Sequence, residues 1–197
     1  MRICCYGASS AYLDRIYLDS AFETGAKLAK KGAGVIYGAG KYGVMGAVGN
    51  GVISENGELI GIVPEFFETD GVVFEGCTRL IYTETMRERK QMMAEMADGF
   101  ITLPGGIGTF EEFFETLTAK QLGFNSRPLV LLNINGIYDH LIELMDQIVA
   151  EGFLKEEGKA LFYVTDSVDD AIEYVLNEAN RISGKPEDFK NIITTED

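Results

Sequence analysis

Seven short apolar runs alternate with longer segments of helical periodicity along this chain. Runs of this length are typical of buried strands, because a parallel sheet that is covered on both faces is apolar on both. Connections long enough to hold a helix favour parallel pairing of consecutive strands. The sequence therefore predicts an α/β fold, with a doubly wound parallel sheet of about seven strands and helices on both faces. The predicted strands are 3–6, 34–37, 59–63, 79–82, 100–103, 129–132 and 161–164.

Length and charge narrow the classes of protein to which the chain can belong. Its 197 residues suffice for one domain with a sizeable core. We predict a single domain over residues 1–183 and a polar tail over residues 184–197. The sequence contains 17 basic and 31 acidic side chains, so its net charge is −14. This charge disfavours a nucleic acid polymer as a partner.

The sequence predicts neither a membrane association nor a metal site. It shows no signal peptide, and no apolar stretch is long enough to span a bilayer. Cys4 and Cys5 are adjacent and Cys77 stands alone, so the cysteines offer neither a disulfide framework nor metal-ligand spacing. These features favour the reducing cytoplasm.

Residues 99–115 carry the strongest local signal. The apolar run ends at Pro104, which has no N–H group to give to a sheet. Thr109 is expected to cap a helix whose apolar positions recur with helical spacing. A strand, a loop without side chains and a helix N-terminus form a backbone site for an anion, and a phosphate is the expected guest. The glycines of this loop are Gly105, Gly106 and Gly108.

The same stretch has a purely structural interpretation. Thr109 and Glu112 have the spacing of a capping box, in which the glutamate accepts the N–H group of the cap residue. A bound phosphate would repel Glu112, so this residue is either a cap that points away or a group with a chemical task. The loop alone does not decide between these alternatives.

Two other turns rich in small residues follow predicted strands, at 7–10 and 38–43. If the topology is the common one, these turns and the loop at 104–109 lie along one edge of the sheet, which favours a nucleotide-like ligand. The turn at 38–43 has the glycine spacing of a dinucleotide fingerprint, but no acidic residue is placed to hold a ribose. We therefore predict no NAD site.

A cluster of cations lies in or near the first turn of another predicted helix, which Thr85 and Glu88 are expected to cap. Cations there oppose the helix dipole, at a cost of up to about 1 kcal/mol each. Arg89 also lies in register with the methionines that should pack inward, and such local conflicts are typical of functional sites. The structural alternatives are an ion pair with Glu84 or Glu112, or a stem that lies along the methionines with its head in water. The cations are Arg87, Arg89 and Lys90.

Together these motifs resemble the Lonely Guy family of cytokinin riboside 5′-monophosphate phosphoribohydrolases, long labelled lysine decarboxylases. The family motif Pro-Gly-Gly-x-Gly-Thr-x-x-Glu corresponds to residues 104–112, and its Arg-Lys pair after a methionine corresponds to Met86, Arg89 and Lys90. Two departures concern base selectivity: Arg87 stands where many members have His, and Ala119 where Trp is common.

The resemblance implies a Rossmann-like homodimer that needs no cofactor. It would hydrolyse the N-glycosidic bond of a nucleoside 5′-monophosphate, a cytokinin riboside 5′-monophosphate or AMP, to free base and ribose 5-phosphate. Arg89 and Glu112 correspond to the family's catalytic pair. The positions that the resemblance assigns to substrate binding are Ser9, Met86, Lys90, Gly105, Gly106, Gly108 and Thr109.

Two other functions stay open at this point. A binding module could hold a nucleotide or a phosphorylated cofactor without turning it over, but such a module needs no carboxylate beside the phosphate. A general salvage nucleosidase could act on AMP or other monophosphates, and the sequence does not separate it from an enzyme specific for cytokinins.

Overall fold

A computed structural model describes residues 1–183 of the chain. In this part, seven strands alternate with six α-helices and three 3-10 helices. The strands are β1 (Arg2–Tyr6), β2 (Gly34–Tyr37), β3 (Leu59–Pro64), β4 (Arg79–Thr83), β5 (Gly99–Thr102), β6 (Leu129–Leu132) and β7 (Tyr163–Thr165). The α-helices are α1 (Arg15–Lys30), α2 (Gly43–Ser54), α3 (Met86–Met96), α4 (Ile107–Gln121), α5 (Asp139–Ala150) and α6 (Val168–Ser183). The 3-10 helices are Glu65–Asp70, Ile134–Gly136 and Glu156–Leu161.

The seven strands form one sheet in the order β4-β3-β2-β1-β5-β6-β7, and all six neighbouring pairs are parallel. The chain therefore builds outward from β1 to β4, crosses to the other side of β1, and builds outward again to β7. The strand order reverses between β1 and β5, and ligands of such sheets bind beyond the strand C-termini at this point. The predicted Rossmann-like parallel sheet is confirmed.

Side chains of the sheet alternate between two apolar cores, because successive residues of a strand point to opposite faces. Ile3 and Cys5 of β1 pack on the face that α1, α2 and α6 cover. Cys4 and Tyr6 pack on the face that α3, α4 and α5 cover. Helices thus cover both faces, as predicted.

The last predicted strand is displaced in the structure. Residues 161–164 were expected to form it, whereas Leu161 ends a 3-10 helix and β7 covers Tyr163–Thr165. Leu161 and Phe162 are packed in the core of the second face. Since a buried helical turn and a buried strand are equally apolar over four residues, periodicity could not separate them.

None of the described helices has the length and apolar composition needed to cross a membrane. Among the side chains that the structure describes, His, Cys, Asp and Glu form no group of three that could hold a metal ion. The predicted tail, 184–197, lies outside the described residues.

Candidate functional site

A cavity of about 620 Å³ lies beyond the C-terminal ends of β1, β2, β3 and β5. Pockets that hold small molecules measure about 300–1,000 Å³, so this cavity has the right size for one. Its walls include residues 7–10, 38–42 and 106–109, which belong to the three turns that the sequence analysis placed at one edge of the sheet. Side chains from the first turn of α3 and from the first two turns of α4 complete it.

One end of the cavity is formed by the N-terminus of α4. Gly106 occupies the cap position and has no side chain that could satisfy the first turn. No acceptor within the described residues takes the backbone N–H groups of Ile107, Gly108 or Thr109. These free donors and the positive end of the helix dipole make this end of the cavity suited to an anion.

The prediction that Thr109 caps α4 is wrong, and so is the alternative of a capping box between Thr109 and Glu112. The helix begins at Ile107, so Thr109 is its third residue and not its cap. Gly105 allows the Thr109 side chain to pack inward, since a Cβ atom at position 105 would lie 2.0 Å from Thr109 Oγ1. Glu112 is left free of the cap and pairs elsewhere.

The second glycine-rich turn leads into α2, whose N-terminus is in contact with loop 7–10. The N–H group of Met45, in the first turn of α2, donates to the carbonyl oxygen of Ala8 at 3.1 Å. Gly43 has φ +62°, and a Cβ atom there would lie 2.4 Å from the carbonyl oxygen of Ser10. Loop 7–10 therefore packs against the N-terminus of α2 and takes one N–H group of its first turn, whereas none of the first three N–H groups of α4 is taken within the described residues.

Arg89 and Glu112 form an ion pair at the wall of the same cavity. The distance between Arg89 Nη1 and Glu112 Oε1 is 2.9 Å, and their side chains are only 9% and 11% exposed. Arg89 Nε also donates to the carbonyl oxygen of Ile62 at 3.2 Å. Of the alternatives that the sequence left open for Arg89, the structure shows the ion pair with Glu112, at the wall of the cavity.

The helix that carries Arg89 begins as predicted. Thr85 Oγ1 accepts the N–H group of Glu88 at 3.1 Å, and the Glu88 carboxylate accepts the N–H group of Glu84 at 2.9 Å. This capping arrangement places Arg89 one turn inside α3, where its side chain points towards the sheet and not into solvent.

Burial controls the ionisation of Glu112. Removal from water raises the pKa of this carboxyl group above its usual value, and the neighbouring Arg89 guanidinium opposes the rise. Glu111 raises the pKa slightly further, whereas Lys90 lowers it. A carboxyl group with a raised pKa and one charged partner in a cleft is typical of catalytic sites.

The other predicted site residues divide into two groups. Five line the cavity: Ser9, Met86, Gly106, Gly108 and Thr109. Gly105 and Lys90 do not line it. Gly105 instead makes room for Thr109, and the Lys90 ammonium group pairs with Glu111 and lies 3.1 Å from Glu115.

The sequence analysis missed the far end of the cavity, which is apolar. It is lined by Met45, Val63, Phe67, Val72 and Val73. The segment between β3 and β4 reaches this position through a bridge between Gly40 and Val73. Glycine spacing at 38–43 was a signal for one side of this region, but no local pattern indicates that the segment after β3 folds back onto it.

The fold and the site define a class: a doubly wound α/β protein whose strand reversal point holds an open helix N-terminus and a buried Arg–Glu pair. A family model described as "Possible lysine decarboxylase" matches residues 45–175. The chain belongs to this family, the Lonely Guy family.

Named relatives agree with this assignment. A rice (Oryza sativa subsp. japonica) protein named cytokinin riboside 5′-monophosphate phosphoribohydrolase LOG is 38% identical over 81% of this chain, which is just under two thirds (66%) of its own length. An Arabidopsis thaliana protein named cytokinin riboside 5′-monophosphate phosphoribohydrolase LOG2 is 36% identical, over 81% of this chain and 75% of its own. The Moco carrier protein from Chlamydomonas reinhardtii shares the fold, with a TM-score of 0.70 at 22% identity over 91% of this chain and 98% of its own.

Proposed function

We propose that this protein hydrolyses the N-glycosidic bond of nucleoside 5′-monophosphates, releasing free base and ribose 5-phosphate. The substrate is a cytokinin riboside 5′-monophosphate, AMP or both. The observation that carries the proposal is the buried Arg89–Glu112 pair in the same cavity as the open N-terminus of α4. The names of the relatives support the same reaction.

The shape of the cavity suits a mononucleotide. Its anionic end lies beyond β5 and its apolar end beyond β3, three strands away in the sheet. At about 4.8 Å between neighbouring strands, this span is roughly 14 Å, which accommodates a nucleotide with its phosphate at α4 and its base on the apolar wall. The glycosidic bond then lies between the two ends, beside Arg89 and Glu112.

The chemistry follows from that placement. As the bond between the anomeric carbon and the base nitrogen breaks, positive charge develops on the sugar, and the Glu112 carboxylate stabilises it or accepts a proton from water. The water oxygen bonds to the anomeric carbon, one proton stays on the new hydroxyl group, and the other ends on the leaving base. Arg89 orients the carboxylate and the ribose.

The remaining predicted residues serve binding in this proposal. The backbone at Gly106, Gly108 and Thr109 holds the 5′-phosphate, and Gly105 allows Thr109 to pack there. Ser9 and Met86 contact the bound nucleotide. Lys90 acts indirectly, because its ammonium group pairs with Glu111, which lines the cavity.

The direct test is chromatography of the free base released from AMP and from isopentenyl-AMP by the purified protein. We expect release from at least one substrate, and the ratio of the two rates shows whether the prenyl group is recognised. If no base is released while AMP still raises the thermal midpoint of unfolding, the protein is a binding module of the same fold.

The pH dependence of the reaction should report the buried carboxyl group. Because the ionised form of Glu112 is the active one and its pKa is raised, kcat/KM should fall on acidification at a pH above the usual glutamate range. The measurement is a pH profile of kcat/KM, with circular dichroism at each pH to exclude acid unfolding. An acid limb within or below the ordinary range of exposed glutamates would contradict the assignment of Glu112.

We further propose a cytoplasmic homodimer with one domain over residues 1–183, no membrane association and no nucleic acid polymer as partner. The free cysteines of the described chain support a reducing compartment. Apolar side chains exposed on α4 and just after it support an interface between subunits. These are Ile107, Phe114, Leu122 and Phe124.

A further inference from the structure

The three nitrogens of the Arg89 guanidinium group have different surroundings. Nε donates to the carbonyl oxygen of Ile62, and Nη1 donates to Glu112. Nη2 has no hydrogen-bond partner among the described residues. Among the described residues, Thr102 Oγ1 is the side-chain polar atom that is fully buried and has no hydrogen-bond partner. Nη2 also lacks a partner, so it is not fully buried and stays accessible at the cavity that Arg89 lines. Nη2 is thus the nitrogen that keeps both its N–H groups for a ligand.

Gly38, the residue after β2, provides the space for this nitrogen. A Cβ atom at position 38 would lie 2.0 Å from Arg89 Nη2 and 3.1 Å from the central carbon of the guanidinium group. The other side of the same space is closed by Met45, whose sulfur would lie 3.1 Å from that Cβ atom.

The backbone of Gly38 does not itself require glycine, because its φ is outside the left-handed region. Space is therefore the reason for glycine here. The guanidinium group cannot retreat from an added methyl group and keep its two bonds, since Ile62 holds it from β3 and Glu112 holds it from α4.

We propose that Gly38 is a positioning residue for the reaction: it allows Arg89 to hold Glu112 and, at the same time, present Nη2 to the bound nucleotide. This inference rests on the proposed function. A methyl group at position 38 moves the guanidinium group, so the carboxylate loses its bond and the nucleotide loses its donor. A displacement of about 1 Å in a catalytic group can cost about 100-fold in rate.

The test is a double-mutant cycle of Gly38→Ala in two backgrounds, the natural chain and Arg89→Ala. In the natural chain, we expect Gly38→Ala to lower kcat/KM for AMP about 100-fold, to weaken AMP binding because Nη2 is displaced, and to lower the thermal midpoint of unfolding. In the Arg89→Ala background the guanidinium group is gone, so the same substitution should change neither AMP affinity nor the thermal midpoint further.

Gly49→Ala is the matched control. Gly49 is a buried residue of α2 whose added Cβ atom would lie 3.2 Å from the Tyr37 hydroxyl group, and none of its nearest neighbours belongs to Arg89. We expect Gly49→Ala to leave kcat/KM unchanged. The positioning role is overturned if Gly38→Ala has the same effect on unfolding and AMP affinity in both backgrounds.

Unfolding and AMP affinity are measured without turnover, so the cycle does not depend on hydrolysis. If the natural chain releases no base, the proposed function fails. A coupling between Gly38 and Arg89 in AMP affinity would then still support the placement of Nη2 towards the nucleotide, and its absence would overturn it.

Discussion

Replacing Glu112 with Gln is expected to abolish base release from AMP and isopentenyl-AMP while nucleotide binding is retained. The amide has the same shape as the carboxylate, so the wall of the cavity keeps its form. It carries no negative charge, so it neither stabilises the developing positive charge of the sugar nor accepts a proton from water. Loss of such a group costs about 10³-fold or more in kcat.

The measurement compares single-turnover base release with AMP affinity determined by calorimetry. Glu115→Gln is a suitable control, because Glu115 lies one turn further along α4, is 56% exposed and pairs with Lys90. It removes a carboxylate from the same helix without touching the cavity. Undiminished turnover by Glu112→Gln would refute the assignment of Glu112 and with it the proposed mechanism.

Replacing Arg89 with Ala should also lower kcat by orders of magnitude, and for two reasons. The substitution removes the donor that orients Glu112, and it leaves a buried carboxylate without its partner. Breaking a buried ion pair in this way costs about 3–5 kcal/mol of stability, so unfolding must be followed alongside the kinetics. Arg89→Lys provides a second variant. It keeps the positive charge but lacks the planar guanidinium group that donates to the Ile62 carbonyl oxygen and to Glu112 at the same time.

The pH profile distinguishes a catalytic loss from a general loss of structure. Arg89 lowers the pKa of Glu112 in the folded protein, so removing Arg89 should raise that pKa further. The active, ionised form is then lost at a higher pH, so the acid limb in the pH profile of any residual activity shifts to higher pH. Arg15→Ala removes an exposed cation of α1 that does not line the cavity, so it should change neither the rate nor the pH of the acid limb. A natural rate in Arg89→Ala would reduce the pair to a structural contact.

Local patterns in the sequence were sufficient for much of the fold. Short apolar runs determined six of the seven strands to within one residue at either end, because burial on both faces leaves a strand no polar position. The hydroxyl group of Thr85 and the carboxylate of Glu88 determined where α3 begins, because both satisfy N–H groups within a few residues of themselves. The glycines at 105, 106 and 108 indicated the anion site for a similar local reason.

Predictions from local sequence patterns were wrong or missing where the structure depends on packing between elements that are distant in the chain. Thr109 has the residue type and spacing of a cap, but Gly106 takes the cap position and packing draws Thr109 inward. The fold-back of the segment after β3 onto Gly40, which forms the apolar end of the cavity, had no local signal.

The sequence by itself thus determined the alternation of strands and helices, the glycine loop between β5 and α4, and the pair of candidate residues. Only the tertiary structure decided that Arg89 meets Glu112, 23 residues away on another helix, and that Gly38 makes room for it. The physical reason is range. Backbone preference and burial act between neighbours along the chain, whereas a contact between side chains depends on the order in which strands are laid side by side and on the space left between them.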